Sequence, residues 1–558
     1  MIISSHDLTP ANLEGIDICI VGAGAAGIAL ACELDACGIK VMLLEAGGFR
    51  AHADSLDFYR GTAAEPHPDP TQYRRTAFGG TTTLWGGRCV PLDPIDFEPR
   101  EYLSHSGWPV SYAEIAQYYP LALHYCDAGK FDFTVAGSLA NPAPTIAGFD
   151  PGGLVIADGI ERYSLPTDFG KRYRERIAHS RDVTAVLHAR CVRLHKRPGD
   201  DAIESVEMID RAGRRRRLLP RAVVLACGGI EVPRLMLASD PEGRGLGNRE
   251  DLLGRFYSCH FEITCGRLVA NGAAVAFNFE RTTDGVYCRR QLRFSEQAQR
   301  QQRLLNMVFR LHFSDYADWR HGSAVMSAIY LARSALPAEY RAILQHNRPA
   351  SGPSQQLAHV RNVLRGLPQL CKFSADWLFK TRLARRRIPY TLVANADGSF
   401  PLEFNSEQTP CASNRVSITA DADRHGLKRV HIDWRLCAAD IDSAQRGFLL
   451  LRDAINARSG SRLELDEAEL HRRITAAQPL GGHHLGTARM ASSARRGVVG
   501  PDCAVFGLPN LFIASSAVFP TAGYANPTLT IVALAVRLAR QLRQEFRRDE
   551  QRQAGALV

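Results

Sequence analysis

The sequence predicts an α/β protein of two domains. One carries a parallel sheet assembled from separated segments; the other is α+β, mixing short strands with helices. Three observations predict it. Strand, glycine-rich turn, helix and second strand follow one another between Ile16 and Glu45. A β-rich stretch near Val183–Leu194 returns through a polar hairpin around Arg211–Arg217 to the apolar run Ala222–Ala226. A late strand, Leu511–Ala514, leads to a helical pattern over Ala525–Arg540. Between 261 and 477, short strands mix with longer helical patterns and no repeat is evident.

Composition bounds the function. A length of 558 residues suits a large two-domain protein able to bury a full core and enclose a large ligand. No run of about twenty apolar residues occurs, so no membrane span is expected. The start, MIISSHDLTPANLEG, has no basic segment followed by an apolar one and no twin arginine, so no secretory signal is expected. The fourteen cysteines include no C-x-x-C pair, and Cys19, Cys32, Cys191 and Cys227 sit in apolar runs. That pattern predicts buried free thiols in a reducing, cytoplasmic setting, with no disulfide frame and no metal site. The net charge of +10 comes largely from arginine clusters at 214–217, 385–387 and 543–552. They lack interleaved aromatics and any nucleic-acid module, so solvated faces are expected and nucleic acid is not.

Taken in order, Ile16–Val21 reads as a buried strand entering Gly22-Ala23-Gly24-Ala25-Ala26-Gly27. An alanine- and leucine-rich helix follows to Cys37, with Gly38 placed to close it, and Lys40–Leu44 is the next strand. This is the full context of a Rossmann-like dinucleotide site. Gly22 allows the tight turn, Gly24 lets the backbone approach a pyrophosphate, and Gly27 lets helix pack on strand. Ala25 and Ala26 open the helix whose N-terminus faces the phosphates. Glu45 can accept from both ribose hydroxyls, beside Ala46, and its charge disfavours a 2′-phosphate. The motif alone does not separate FAD from NAD.

Phe78-Gly79-Gly80-Thr81-Thr82-Thr83-Leu84-Trp85-Gly86-Gly87 combines small residues, which admit close backbone approach, with hydroxyls able to bond a ribityl chain or phosphate. The segment resembles the second signature of the glucose–methanol–choline oxidoreductases. Val223–Ile230 is similar to that family's strand and turn returning to the cofactor, with Ala226 and Gly228 beside it. Cys191-Val192 matches the place where a backbone amide and carbonyl meet the adenine. His483-His484-Leu485-Gly486-Thr487 looks like its H-x-x-G-T, and Asn526-Pro527-Thr528-Leu529-Thr530 its N-P-x-x-T. The blocks occur in the family's order; the central third carries almost none of the likeness.

The resemblance implies FAD, and oxidation of an alcohol with His483 as base and Asn526 holding the same hydroxyl. Such base assistance is worth ~10²–10⁴ in rate. His484, where the family commonly has proline, is expected to pack or turn the loop. Asn526 is expected to cap the last helix, with Pro527 at its first position and Thr528 following, the positive end aimed at the flavin. Ser515, followed by Ser516 at the cofactor, stands where many members carry aspartate, and should make a weaker contact to a ribityl or phosphate oxygen. This version is closer to bacterial sugar and polyol dehydrogenases and to pyranose oxidases. The latter attach flavin through a histidine where this chain has Leu84, so the FAD is expected to be non-covalent. A sugar, polyol or similar alcohol is the expected substrate. A lyase that keeps FAD without net redox, or a non-catalytic FAD-binding protein, are the alternatives.

The resemblance implies a FAD-binding domain over 14–260, with inserted loops at about 51–180, and a substrate domain over 261–477 that is an antiparallel sheet with helices. Residues 478–546 return to the FAD domain and active site, and 547–558 form a polar tail. The electron acceptor would be oxygen or a separate quinone or cytochrome, since no haem motif occurs. The basic stretch Gln355–Arg387, with Trp377, Leu378 and Phe379 beside Lys380 and Arg382, is expected to be an exposed helix whose membrane contact is at most peripheral.

Overall fold

The computed structural model describes residues 1–51, 53–197, 199, 201–240, 242–335, 353–390 and 392–556. Its first sheet has seven strands, in spatial order Ile2–Ser4, Val183–Leu187, Val41–Leu44, Ile18–Val21, Ala222–Leu225, Leu508–Ile513 and Ala504–Val505. All neighbours pair in parallel except the last two. The three central strands are buried at every position, as a parallel sheet covered on both faces requires. Helices Ala25–Leu34 and Thr528–Ala556 pack together on this sheet, through side chains as small as Ala29, Ala533 and Ala535. The first helix stops at Leu34, short of the expected Cys37. Asp35 turns extended, and its carboxylate accepts the Ala36 N–H (3.0 Å) in competition with the helix. The edge strand Ile2–Ser4 lies ahead of the first element expected from the sequence.

The hairpin expected before Ala222 is a three-stranded antiparallel sheet of Arg190–Lys196, Ile203–Ile209 and Arg215–Leu218. Its arginines point outward into ion pairs, Arg214 with Asp210 and Arg215 with Glu207.

The second large sheet is antiparallel. Its strands run in spatial order Arg462–Glu464, Phe261–Val269, Ser399–Ser406, Met307–Leu311, Tyr287–Phe294, Val155–Tyr163 and Arg88–Cys89, with Glu280–Arg281 beside Tyr287–Phe294. One face buries Phe309 and Phe404 against Phe448 of helix Ala438–Arg458, with ring centroids 5.0–5.2 Å apart. The opposite face is polar yet also buried: Glu161, Arg289, Arg310, Glu403 and Asn405 are all at most 3 % exposed. Two strands, Val155–Tyr163 and Arg88–Cys89, come from the stretch expected as loops inserted in the first domain, so the sheet reaches beyond the boundaries drawn from sequence. Ion pairs across the polar face, Arg310 to Glu161 and Arg88 to Glu403 (3.4 Å), tie these strands to the rest.

Residues 547–556, expected as a polar tail, continue the last helix, and Asp549 pairs with Arg221 at 3.3 Å. Among the described residues no helix is long and apolar enough to cross a membrane.

Candidate active site

The carboxyl ends of Ile18–Val21, Val41–Leu44 and Ala222–Leu225 open into one cleft, with about 1430 Å³ of space between its walls and out to its solvent-open mouth. Ligands of open α/β sheets bind at this edge. Gly22 has φ +108°, and a Cβ there would lie 2.8 Å from the Ala226 carbonyl oxygen. A Cβ on Gly27 would lie 1.9 Å from the Gly22 oxygen, so this glycine serves helix packing and is not on the cleft wall. A Cβ on Gly24 would meet nothing within 4 Å. Backbone therefore faces open space at the start of helix Ala25–Leu34, where a pyrophosphate would sit. Ala25, Ala26, Glu45, Ala46, Ala226 and Gly228 line the same wall.

Glu45 is buried, and its oxygens accept from Ala23 N–H (3.2 Å) and Gly47 N–H (2.8 Å). Burial pushes its pKa up to about 7, against those two hydrogen bonds. Two carboxylate oxygens offer about four acceptor sites, which leaves capacity for ribose hydroxyls. Cys191 and half-buried Cys227 line the cleft. Val192 does not line it through its side chain, but it is skipped in the strand register between Cys191 and Arg193. A bulge of this kind leaves a residue's backbone groups without ladder partners, which is what a backbone contact to adenine needs.

The loop after Phe78 docks on the glycine turn through Gly79 N–H to Ala23 O (2.8 Å). Gly80, Thr81, Thr82 and Trp85 line the cleft; Gly79, Leu84, Gly86 and Gly87 do not. The hydroxyls of Thr82 and Thr83 donate to Gly79 O (2.6 Å) and Gly80 O (2.9 Å), so they hold the loop itself rather than stand ready for a ligand. Thr81 is exposed at the cleft, and Trp85 is fixed by its indole N–H on Thr167 O (2.8 Å).

The far end of the cleft is closed by Gly482, His483, His484, Ser515, Ser516, Pro527 and Thr528. His483 Nε2 lies 2.9 Å from Asn526 Nδ2. The Pro527 carbonyl accepts the first helical bond, from Ile531 N–H (2.9 Å), so the last helix begins at Thr528 and Pro527 is its cap. Asn526 is therefore not the expected cap, because its amide is turned to His483. Ser515 accepts from Ala517 N–H (3.2 Å) and Ser516 donates to His484 O (2.6 Å), which fixes the wall around the histidines. His484 is tied to Tyr257 OH (2.7 Å), itself 2.9 Å from His67 Nε2, an anchoring arrangement.

One residue missed by sequence reasoning, His260, sets the tautomer of His483. His260 Nε2 lies 2.8 Å from Gly523 O, and its Nδ1 lies 2.8 Å from His483 Nδ1. A carbonyl only accepts, so His260 Nε2 carries a proton. Burial lowers the His260 pKa to about 4, so the ring is neutral near pH 7 and its Nδ1 is a lone pair. His483 Nδ1–H must then donate, leaving His483 Nε2 unprotonated with Asn526 donating to it. Burial holds the His483 pKa well below the usual histidine range, helped by its histidine neighbours and by Arg88 and Arg310. No spacing pattern ties His260 to His483, 223 positions away. Arg74, over the Tyr59 ring at 4.0 Å and paired with Glu231, is a second unforeseen part of the cleft.

Residues 410–535 match a family described as GMC oxidoreductase. The chain is 23% identical to the 2-methyl-1,2-propanediol dehydrogenase of Mycolicibacterium austroafricanum, covering 96% of each chain. It is 25% identical to the paromamine 6′-oxidase of Streptomyces fradiae, covering 94% of this chain and 90% of that one. Among solved structures, an FAD-dependent oxidoreductase from Chaetomium thermophilum shares the fold with a TM-score of 0.55 at 15% identity, over 96% of this chain and 100% of that one. The glycine turn, the late histidine and asparagine, and these likenesses point the same way: the C-terminal part of the chain, residues 410–535, matches the GMC oxidoreductases, and the whole chain is similar to alcohol- and sugar-oxidising enzymes.

Proposed function

We propose that this protein oxidises an alcohol group of a sugar, polyol or similarly polar substrate to the carbonyl, with non-covalently held FAD and His483 as the base. One observation carries the reading: a single cleft runs from the glycine turn at Gly22 to His483, beside which Asn526 stands. Bound FAD supplies the acceptor for the hydride that leaves the carbinol carbon. The turn at Gly22–Gly27 would hold its pyrophosphate, Glu45 its ribose, the Val192 backbone its adenine, and Thr81, Trp85, Pro527 and Thr528 the flavin end. Leu84 offers no atom for a covalent link, so acid precipitation should release the flavin into solution.

An alcohol C–H is a poor hydride donor until its O–H proton is leaving. His483 Nε2 is the unprotonated atom that takes this proton. Asn526 can hold the oxygen but cannot accept the proton, so the site has one base. Before substrate enters, the Asn526 N–H covers the Nε2 lone pair. A substrate hydroxyl must insert between them, which puts its oxygen within reach of both groups. His260 keeps Nδ1–H of His483 engaged and the ring in this tautomer, which makes it a positioning residue. The relatives named a diol dehydrogenase and a paromamine oxidase support a polar alcohol substrate. The acceptor is oxygen or a separate quinone or cytochrome, and the free cysteines favour a cytoplasmic location.

The test is single-turnover reduction of the bound flavin by substrate without oxygen. His483→Ala should keep its flavin and slow reduction by ~10²–10⁴. An unchanged rate would remove His483 from the mechanism.

A further inference from the structure

Half of the exposed large apolar side chains among the described residues, eight of sixteen, lie between 357 and 383. They are Leu357, Val360, Leu364, Leu367, Trp377, Leu378, Phe379 and Leu383, and Leu357 and Leu364 are each 70 % exposed. They belong to helices Pro353–Arg365 and Leu367–Trp377 and the wider turn Leu378–Leu383. The first helix is anchored on one side only. His359 meets Ser327 Oγ (3.0 Å) and stacks on Tyr330, and Asn362 donates to Trp319 O (2.8 Å). That anchorage turns Leu357, Arg361 and Leu364, at i, i+4 and i+7, outward. The second helix buries no residue at all.

The charge of this stretch is one-sided. Residues 353–390 hold eight lysines and arginines and one acid, Asp376. Arg386 pairs with Asp127, while Arg361, Arg365, Lys372, Arg385 and Arg387 are exposed. The side chains of Lys380 and Arg382 lie outside the described residues. Leucine, tryptophan and phenylalanine interleaved with basic residues on short helices is the composition of helices that lie in a lipid interface. Helices of 13 and 11 residues are too short to cross a bilayer. Because the exposed apolar side chains are spread along both helices and the turn after them, with exposed basic residues among them, they suit an anionic fluid surface better than a single rigid partner.

We propose that residues 353–383 dock the enzyme on an anionic lipid surface, with the leucines and Trp377 in the interface and the arginines against acidic headgroups. The proposal is independent of the substrate. Flotation of the flavin-loaded full chain with phosphatidylcholine vesicles, with and without phosphatidylglycerol, tests it. Each basic residue near an anionic surface multiplies affinity about fivefold, so binding should be at least about tenfold tighter with phosphatidylglycerol and should weaken as salt rises. Arg361→Glu with Arg365→Glu, and separately Leu357→Ser with Leu364→Ser, should each lower binding by about tenfold or more while flavin absorbance and circular dichroism stay unchanged. Absence of flotation with phosphatidylglycerol vesicles would overturn the proposal. So would flotation insensitive to the leucine pair, which is plain charge adsorption. Self-association abolished by the leucine pair, without lipid binding, would instead assign the face to a second copy of the chain.

Discussion

At the scale of single residues, the site makes His483 a weak base and compensates by holding it in place. Burial and the Arg88 and Arg310 charges disfavour its imidazolium, so a proton that it takes from substrate would be released again readily. In the proposed mechanism the active form is the neutral ring, and a lowered pKa moves the loss of that form to lower pH. The acid limb of kcat/KM should therefore lie below pH 6.5, with the profile flat from neutral pH down to that value; a limb at or above 6.5 contradicts this. His260→Ala removes the acceptor for His483 Nδ1–H and should slow flavin reduction roughly 10–100-fold with flavin still bound. His260→Gln, which restores an acceptor, should recover part of the loss and shift the pH profile, a response that a merely structural role would not give. His260 also links stability to pH. Its folded pKa, about 4, lies below the ordinary 6.5, so the unfolded chain binds more protons in that window. Its contribution is complete above pH 6.5 and lost as pH falls towards 4. His483 and Asn526 were legible because each sits in a short block with small or helix-starting neighbours. His260 was not: it follows Cys259 in an apolar context, and only the fold brings it to His483.

At the scale of elements, the strand–turn–helix unit places an open backbone at Gly24 and a closed one at Gly27. The two glycines should respond differently to substitution. Gly24→Val adds bulk to an empty cleft wall, so the fold should survive while FAD affinity falls at least tenfold, ~1.4 kcal/mol or more; equilibrium flavin titration reads this. Gly27→Val drives a side chain into the Gly22 carbonyl and should lower the melting temperature even without cofactor. Equal melting temperatures for the two apoproteins would contradict the distinction. This first unit was legible because its strands are continuous apolar runs bounded by glycine. The second sheet was harder to read. Tyr287–Phe294 contains Arg289, Arg290 and Gln291, all buried, and Ser399–Ser406 buries Glu403 and Asn405. Both faces are covered, and the polar face is satisfied by ion pairs from distant strands, so no alternation of core and solvent marks these strands. Val155–Tyr163 reads as part of the inserted loops because its partner strand begins only at Tyr287. The cap of the last helix was misplaced by one residue because Asn526 has a better partner in His483 than in the helix backbone.

At the scale of the molecule, the cofactor cleft draws its walls from the glycine turn, the Gly80–Trp85 loop, the strand at Cys191 and the C-terminal segment at His483. A ligand that touches all of these segments and binds only the folded chain adds to its stability. Deflavinated protein should therefore gain about 2.7 kcal/mol of apparent stability when FAD is added at a hundredfold excess over its Kd; an unchanged melting temperature would show that the cleft does not take FAD. Glu45, raised to about 7 in the empty cleft, should become easier to ionise as ribose hydroxyls donate to it. FAD affinity should then rise with pH through about 7, and Glu45→Gln should flatten that dependence. The most direct test of the whole account is the absorbance of the bound flavin, without oxygen, during titration with sugars, polyols and simple alcohols. The account predicts that one class of polar alcohol bleaches the flavin in wild-type protein, and far more slowly in His483→Ala. A flavin that dithionite bleaches but no alcohol reduces would contradict alcohol oxidation, and a protein that takes up no flavin would contradict the site itself.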